Sequence, residues 1–308
     1  MEVAYIPANI GLPDKQVVAT VGFFDGVHQG HRFLIEQLQA EAQRQRLPSA
    51  VITFPVYPGK VLNPERQLQL LSSFDEKLQL LSATGVDYCY VLDFSIALSR
   101  LTAQEFINQT LFEGMRVAGL LVGYDHRFGK DRTESIDEYI GYGQQVGMQV
   151  TPANPLLINN EYVSSTRIRK LLSMGSVEEA HQLLSYPYRL TGRVVKGNQI
   201  GHSIGFPTAN IDLSGSEKII PAVGCYVVRV YVGAQKHKGM LYIGRRPTIE
   251  GVDELRVEVN LLHFSGNLYG QTLTVEFLRF IRNDQKFNSL EELKTQLNSD
   301  RAVVAETL

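Results

Sequence analysis

Along the first 150 residues, short apolar runs alternate with stretches whose apolar positions recur every three or four residues. The runs fall at Val17–Val21, Ala50–Phe54, Val86–Leu92, Val117–Val122 and Met148–Thr151. The first intervening stretch predicts an amphipathic helix from about Gly30 to Arg46. Two more helices open on capping boxes. Ser73 and Glu76 precede Leu78 and Leu81, with Gly85 as the stop; Thr102 and Glu105 precede Phe106, Ile107 and Leu111, with Gly114 as the stop. This alternation predicts a parallel sheet with helices on both faces, whose ligands bind beyond the carboxyl ends of the strands.

Two short helices are expected next. One runs from the Ser164-Ser165 pair through Ile168, Leu171 and Leu172 to Gly175; the other follows a capping box of Ser176 and Glu179. After Tyr186-Pro187 the texture changes. Strand-like runs at Arg189–Val195, Gly224–Val232, Gly239–Ile243, Leu255–His263 and Gln271–Arg279 are separated by Gly-containing turns, which predicts an antiparallel barrel or sandwich. A last helix has Ser289 and Glu292 as its capping box and places Leu290, Leu293 and Leu297 on one face. The expected domains are 1–185 and 186–308.

The densest candidate chemistry is Gly22-Phe23-Phe24-Asp25-Gly26-Val27-His28-Gln29-Gly30-His31, directly after the first apolar run. A strand that ends in a Gly-rich turn and feeds a helix is where an α/β protein holds phosphate, because free N–H groups of the first helical turn face the anion. His28 and His31 stand three apart there, placed to carry positive charge to one ligand and to stabilise charge built at an α-phosphate. A zinc site is the rival use of this spacing, but no third or fourth ligand is evident. A tight turn with two surface histidines is the plain alternative. Gly201-His202-Ser203-Ile204-Gly205-Phe206-Pro207-Thr208-Ala209-Asn210 raises the same suspicion in the second half. Thr208 and Asn210 share one face of an extended segment and offer hard oxygen ligands that suit Mg²⁺ beside nucleotide phosphates. A Gly/Pro-rich hairpin is the plain reading there. In Arg256–Phe264, Val257, Val259 and Leu261 face the core, so Glu258 and Asn260 face the other way, where a carboxylate can take a proton from an attacking hydroxyl. A solvated strand glutamate is the alternative.

Taken in order with Gly123–Gly129, Ser164–Arg169 and Asn267–Gly270, these blocks resemble the prokaryotic bifunctional riboflavin kinase/FAD synthetase family over nearly the whole chain. The resemblance implies a Rossmann-like nucleotidyltransferase sheet followed by a riboflavin kinase barrel. In that family the Gly-Phe-Asp-Gly-Val-His-x-Gly-His block holds ATP for transfer of AMP to FMN; it is matched by Gly22, Phe24, Asp25, Gly26, His28, Gly30 and His31, with one extra aromatic. Asp125, Phe128, Gly129 and Arg132 fit the next block. Ser164, Ser165, Thr166 and Arg169 match a triphosphate-binding motif. Gly205, Pro207, Thr208 and Asn210 match the kinase motif that coordinates Mg²⁺ and ATP, Glu258 its proposed general base, and Arg282 a later position. The implied activity is phosphorylation of riboflavin to FMN by Mg-ATP, then adenylylation of FMN to FAD with release of pyrophosphate. The implied substrates are riboflavin, FMN and ATP. Departures from the pattern are Tyr57 for histidine, His126 for an aromatic, His202 for arginine, Tyr242 for asparagine, and Asn260 and His263 for His and Asp. They motivate a rival in which one activity is lost. A flavin-sensing binding protein is a second rival; such a sensor needs neither Glu258 nor the paired imidazoles.

Bulk composition narrows the setting. The 308 residues are 44% hydrophobic and 20% charged, with a formal net charge of -2, ordinary for a globular protein and without a field for nucleic acid or an anionic membrane. Cys89 and Cys225 are too few for a disulfide framework and read as buried thiols in a reducing compartment. Met1–Ile6 lacks the features of a signal peptide, and no stretch reaches the roughly 18 apolar residues of a membrane span. The expected setting is the cytoplasm, with no membrane or nucleic-acid partner; oligomeric state is left open.

Overall fold

The structure is a computed structural model that describes residues 1–6, 15–65, 68–124, 126–131, 133–197, 201, 204–247 and 253–307. Asp125, Arg132, His202 and Thr248 lie outside the described residues. The chain divides into two compact units, Met1–Ser165 and Thr166–Leu308.

The first unit is built on a six-stranded sheet of β1 (Glu2–Ile6), β2 (Val17–Val21), β3 (Ser49–Thr53), β4 (Tyr88–Leu92), β5 (Val117–Val122) and β6 (Gln149–Pro152). The order is β1-β4-β3-β2-β5-β6, and every pairing is parallel. Period-two alternation along β2 sends Val17, Ala19 and Val21 to one face and Val18 to the other. The first face packs with Ile52, Phe106, Leu111, Met115 and Tyr139. The second packs with Val51, Cys89, Ile35, Leu38 and Leu81. Both faces are therefore covered, as the alternation predicts. The helices are α1 (Gln29–Gln45), α2 (Pro58–Leu62), α3 (Phe74–Ser82), α4 (Ile96–Ser99), α5 (Ala103–Glu105) and α6 (Ile136–Val146). α5 runs on as a π-helical stretch, Phe106–Gly114, and β7 (Leu157–Ile158) pairs with β8 (Glu161–Tyr162) in a small hairpin. The boxes at Ser73/Glu76 and Thr102/Glu105 both form.

The strand order places the site. From β2 the chain steps outward through β3 and β4, and β5 returns to the other side of β2. The Gly22–His31 turn and the Gly123–Gly129 loop therefore leave adjacent strands at the reversal of strand order, where open α/β sheets bind ligands.

The second unit opens with α7 (Ser165–Ser173, its first residue still in the first unit) and α8 (Val177–Leu184). A closed barrel follows, made of β9 (Arg189–Val195), β10 (Ala209–Asp212), β11 (Gly224–Val232), β12 (Gln235–Pro247), β13 (Asp253–Leu261) and β14 (Thr272–Arg282). Its order is β10-β13-β12-β11-β14-β9, antiparallel throughout. Closure decides for a barrel over a sandwich. α9 (Leu290–Thr307) lays Val304 and Leu297 on a cluster of Phe206, Val227, Met240 and Leu262. Two local expectations fail. Ser176 makes no side-chain cap on α8, and Leu290 is exposed rather than on the packed face of α9. α8 stays close to the barrel: its Glu178 carboxylate accepts from Phe280 N at 3.2 Å. From α7, the Leu172 carbonyl accepts from Ala222 N at 3.0 Å.

Candidate active sites

In the first unit, the turn after β2 is bent by left-handed backbone at Phe24, Gly26 and Val27, with φ of 53°, 75° and 37°. Only Gly26 adopts this freely, so the surroundings must hold the other two. They do so through Asp25. Its buried carboxylate accepts from Leu71 N at 2.9 Å and Ser72 N at 3.2 Å, while Gly26 N donates to Ser72 Oγ at 3.0 Å. Asp25 thus faces the fold and fixes the turn. Phe24 is buried with its ring edge-on to His31, whereas Phe23 lines a cavity and meets Tyr57 edge-on.

His28 caps α1: its Nδ1 accepts from His31 N at 3.3 Å. With Nδ1 engaged as an acceptor, neutral His28 carries its proton on Nε2. The two rings stack with centroids 3.6 Å apart and planes 18° apart. Burial holds the His31 imidazole well below the ordinary histidine value, and the charges of His28 and Lys77 push the same way. Burial and mutual repulsion therefore both work against the expected pair of cationic imidazoles. His31 lines the cavity; His28 is 4% exposed and backs it. Gly30 is required by packing, since a Cβ there would stand 2.9 Å from the Val163 carbonyl oxygen and 3.2 Å from the His28 ring. Ser165 Oγ donates to the Asp25 carbonyl at 3.1 Å. Thr166 and Arg169 belong to α7 in the second compact unit.

The cavity beside His31 has a volume of about 730 Å³. Aromatic walls come from Phe23, Phe54, Tyr57, Phe94, Phe106 and Phe128, and cations from Arg127 and Lys130. A flat aromatic ring with an anionic tail suits such a lining. His126, at a departure from the family pattern, lines it too and meets Phe128 edge-on. Behind the wall lies a residue the sequence reading overlooked. Lys77 of α3 is 2% exposed; its Nζ donates to the carbonyls of Phe54 at 2.7 Å and Phe23 at 3.0 Å and lies 4.1 Å from the Phe23 ring centre. Burial pulls its pKa down to about 8, partly offset by Asp25. The signal was present: Phe74, Lys77, Leu78 and Leu81 share one helical face.

In the second unit, pairing register builds one row of side chains across the barrel. Asn210 of β10 lies opposite Glu258 of β13, which lies opposite Tyr242 of β12, which lies opposite Cys225 of β11. Partners directly opposite share a face. Thr208 Oγ1 donates to Glu258 Oε2 at 3.1 Å, and Asn260 Nδ2 donates to the Pro207 carbonyl at 2.7 Å. Asn260 at this departure from the pattern thus holds the Pro207–Asn210 segment. A hydroxyl that gives its proton to a carboxylate turns its lone pairs to a cation, so Thr208 and Asn210 fit Mg²⁺ carried in on phosphates. Among the described residues no group of three or more His, Cys, Asp or Glu is arranged to hold a metal ion. Gly205 takes φ of 84°, and the space beside its Cα is open. Arg282 spends its fork on Asp300, at 3.0 Å from Nε and 2.8 Å from Nη2, which ties α9 to the barrel. A second cavity of about 570 Å³ is lined by Pro207, Thr208, Val259, Leu261, Phe264 and Tyr269, among others.

Comparison with known proteins follows the same division. Residues 12–167 match the FAD synthetase family and residues 184–308 the riboflavin kinase family. The bifunctional riboflavin kinase/FMN adenylyltransferase of Escherichia coli (strain K12) is 37% identical over 295 residues, covering 96% of this chain and 93% of that one. The protein of the same description from Pseudomonas fluorescens is 37% identical over 294 residues, 96% of this chain and 94% of its own. A crystal structure described as a macrolide-efflux protein from Streptococcus pneumoniae has the same fold, with a TM-score of 0.89, 35% identity and 99% of each chain covered.

Proposed function

Because the chain belongs to the bifunctional riboflavin kinase/FMN adenylyltransferase family, we infer that it makes FAD in two steps, each at its own site. The barrel phosphorylates riboflavin with ATP, and the parallel-sheet unit joins AMP to the resulting FMN and releases pyrophosphate. Among the described residues no helix is long and apolar enough to cross a membrane. Both cysteines are free and buried, which agrees with a reducing, cytoplasmic setting.

We propose the following division of labour. Thr208 and Asn210 hold Mg-ATP, and Mg²⁺, when bound, neutralises charge on the transferred phosphoryl group. Glu258, fixed by Thr208, takes the proton of the flavin's terminal ribityl hydroxyl as that oxygen attacks the γ-phosphorus, the bond from the γ-phosphorus to the β–γ bridging oxygen breaks, and ADP leaves. Positioning and charge stabilisation supply most of the rate in phosphoryl transfer, so one base suffices. In the other unit, Phe23, Phe54, Tyr57 and Phe128 cradle the flavin ring. An FMN phosphate oxygen attacks the α-phosphorus of ATP, the bond to the β-phosphate bridging oxygen breaks, and pyrophosphate leaves. His31 donates to the α-phosphate, held in place by the His28 ring against it. Gly22, Gly26 and Gly30 shape the turn, and Ser164 takes the triphosphate.

One observation carries the kinase assignment: Thr208, just before β10, meets Glu258 of β13 at 3.1 Å, and the β10–β13 register sets Asn210 opposite the same Glu258. The test is to incubate the purified chain with riboflavin and ATP, with Mg²⁺ or with chelator, and resolve the flavins by chromatography. FMN and then FAD should appear only with Mg²⁺. Riboflavin left unchanged in the presence of Mg²⁺ would refute the assignment.

A further inference from the structure

Tyr242 ties the segment between β14 and α9 to the strand beside Glu258. Its hydroxyl donates to Asp284 Oδ1 at 2.9 Å, and the same oxygen accepts from Gln285 N at 2.9 Å. Asp284 lies just past Arg282, which donates from Nη1 to the Asn283 carbonyl at 3.1 Å and anchors on Asp300 of α9. A Cβ on Gly244 would overlap the Tyr242 phenol, so the glycine leaves room for it. Burial, Asp284, Cys225 and Glu258 all push its phenol up, so it remains a donor at working pH.

The row across the barrel gives this tether a direction. Glu258 has Asn210 on the β10 side and Tyr242 on the β12 side. Thr208 and Asn210 mark the side from which Mg-ATP presents its γ-phosphate. In-line transfer puts the attacking oxygen opposite the leaving oxygen. The acceptor therefore reaches the base from the β12 side, which Tyr242 and Asp284 frame. We propose that Tyr242, acting through Asp284, is a positioning residue that fixes the flavin acceptor of the kinase reaction. This rests on the kinase assignment of Glu258, Thr208 and Asn210.

The test is steady-state riboflavin phosphorylation by the full chain, with KM measured separately for riboflavin and ATP. Tyr242→Phe keeps the ring and removes the donor; Asp284→Ala removes the acceptor. Each should raise the riboflavin KM about tenfold, the effect of losing one hydrogen bond to a charged group, and leave the ATP KM within about twofold. The double variant should be no worse than either single one, because both break the same link. Asp284→Asn, which retains an acceptor oxygen, should stay near the parent. A riboflavin KM unchanged in Tyr242→Phe, an equal rise for ATP, or multiplicative losses in the double variant would overturn the inference while leaving the kinase assignment standing. If the unmodified chain forms no FMN, the assignment fails and the inference with it.

Discussion

The backbone N–H of His31 donates to His28 Nδ1 at 3.3 Å while the two imidazole rings stack at 3.6 Å. The contact caps α1, while burial first, and the charges of His28 and Lys77 after it, disfavour a cationic His31. The stack sets the His31 ring plane against His28, and burial holds the His31 imidazole well below the ordinary histidine value.

This relationship gives the first prediction. His31→Ala should lower FAD formation from supplied FMN by about 10²-fold, the usual cost of removing one donor aimed at developing charge. His28→Ala should lower it comparably by freeing the His31 ring. Activity of the parent should stay flat between pH 7 and about 8, because burial moves the titration of His31 below the ordinary histidine range. Pyrophosphate release measures all three; a parent rate that rises steeply as pH falls through 6.5 would restore the cationic pair.

Lys77 gives a prediction about stability. Its folded-state pKa of about 8 lies below the ordinary 10.5, so between those values the unfolded chain binds more protons than the folded one. Stability should therefore rise with pH across that window, by at most about 1.4 kcal/mol per unit. Lys77→Met should flatten that rise in denaturant titrations at pH 8, 9 and 10. An unaltered slope would show that the lysine is not the titrating group.

Truncation tests which helices the kinase unit needs. We expect a fragment from Thr166 to fold cooperatively and phosphorylate riboflavin. A fragment from Leu184 lacks buried Val177, Ala180 and Leu183 and the Leu172 carbonyl that accepts from Ala222. Burial of three such side chains contributes several kcal/mol, so the shorter fragment should melt at least about 10 °C lower. Equal melting temperatures would show that α7 and α8 are dispensable.

Much of this was legible in the chain because local signals agreed with the fold. The capping boxes at Ser73 and Thr102 form because each precedes a helix with an apolar face to bury. Ser176 has the same box and makes no cap, so sequence spacing alone does not supply the geometry. β1 was overlooked because the Val3–Ile6 run is only four residues long and belongs to a largely exposed edge strand. Glu258 was legible from period-two alternation. Its contact with Thr208 was not, because strand register depends on the Gly-rich connections as well as on the side-chain pattern. The hold of Asp25 on its own turn was not legible, because it depends on where Leu71 and Ser72 fold back.

The central claim is that two separable sites share one chain, and Glu258→Gln tests it most directly. The variant keeps the size and hydrogen bonding of Glu258 but cannot accept the acceptor's proton, which should cost roughly 10²-fold or more. It is to be given riboflavin in one reaction and FMN in another, each with ATP and Mg²⁺, and the flavins resolved by chromatography. Riboflavin should remain almost unconverted while FMN is adenylylated to FAD at the parent rate. Near-parent FMN formation, or loss of FAD formation from supplied FMN, would contradict the account.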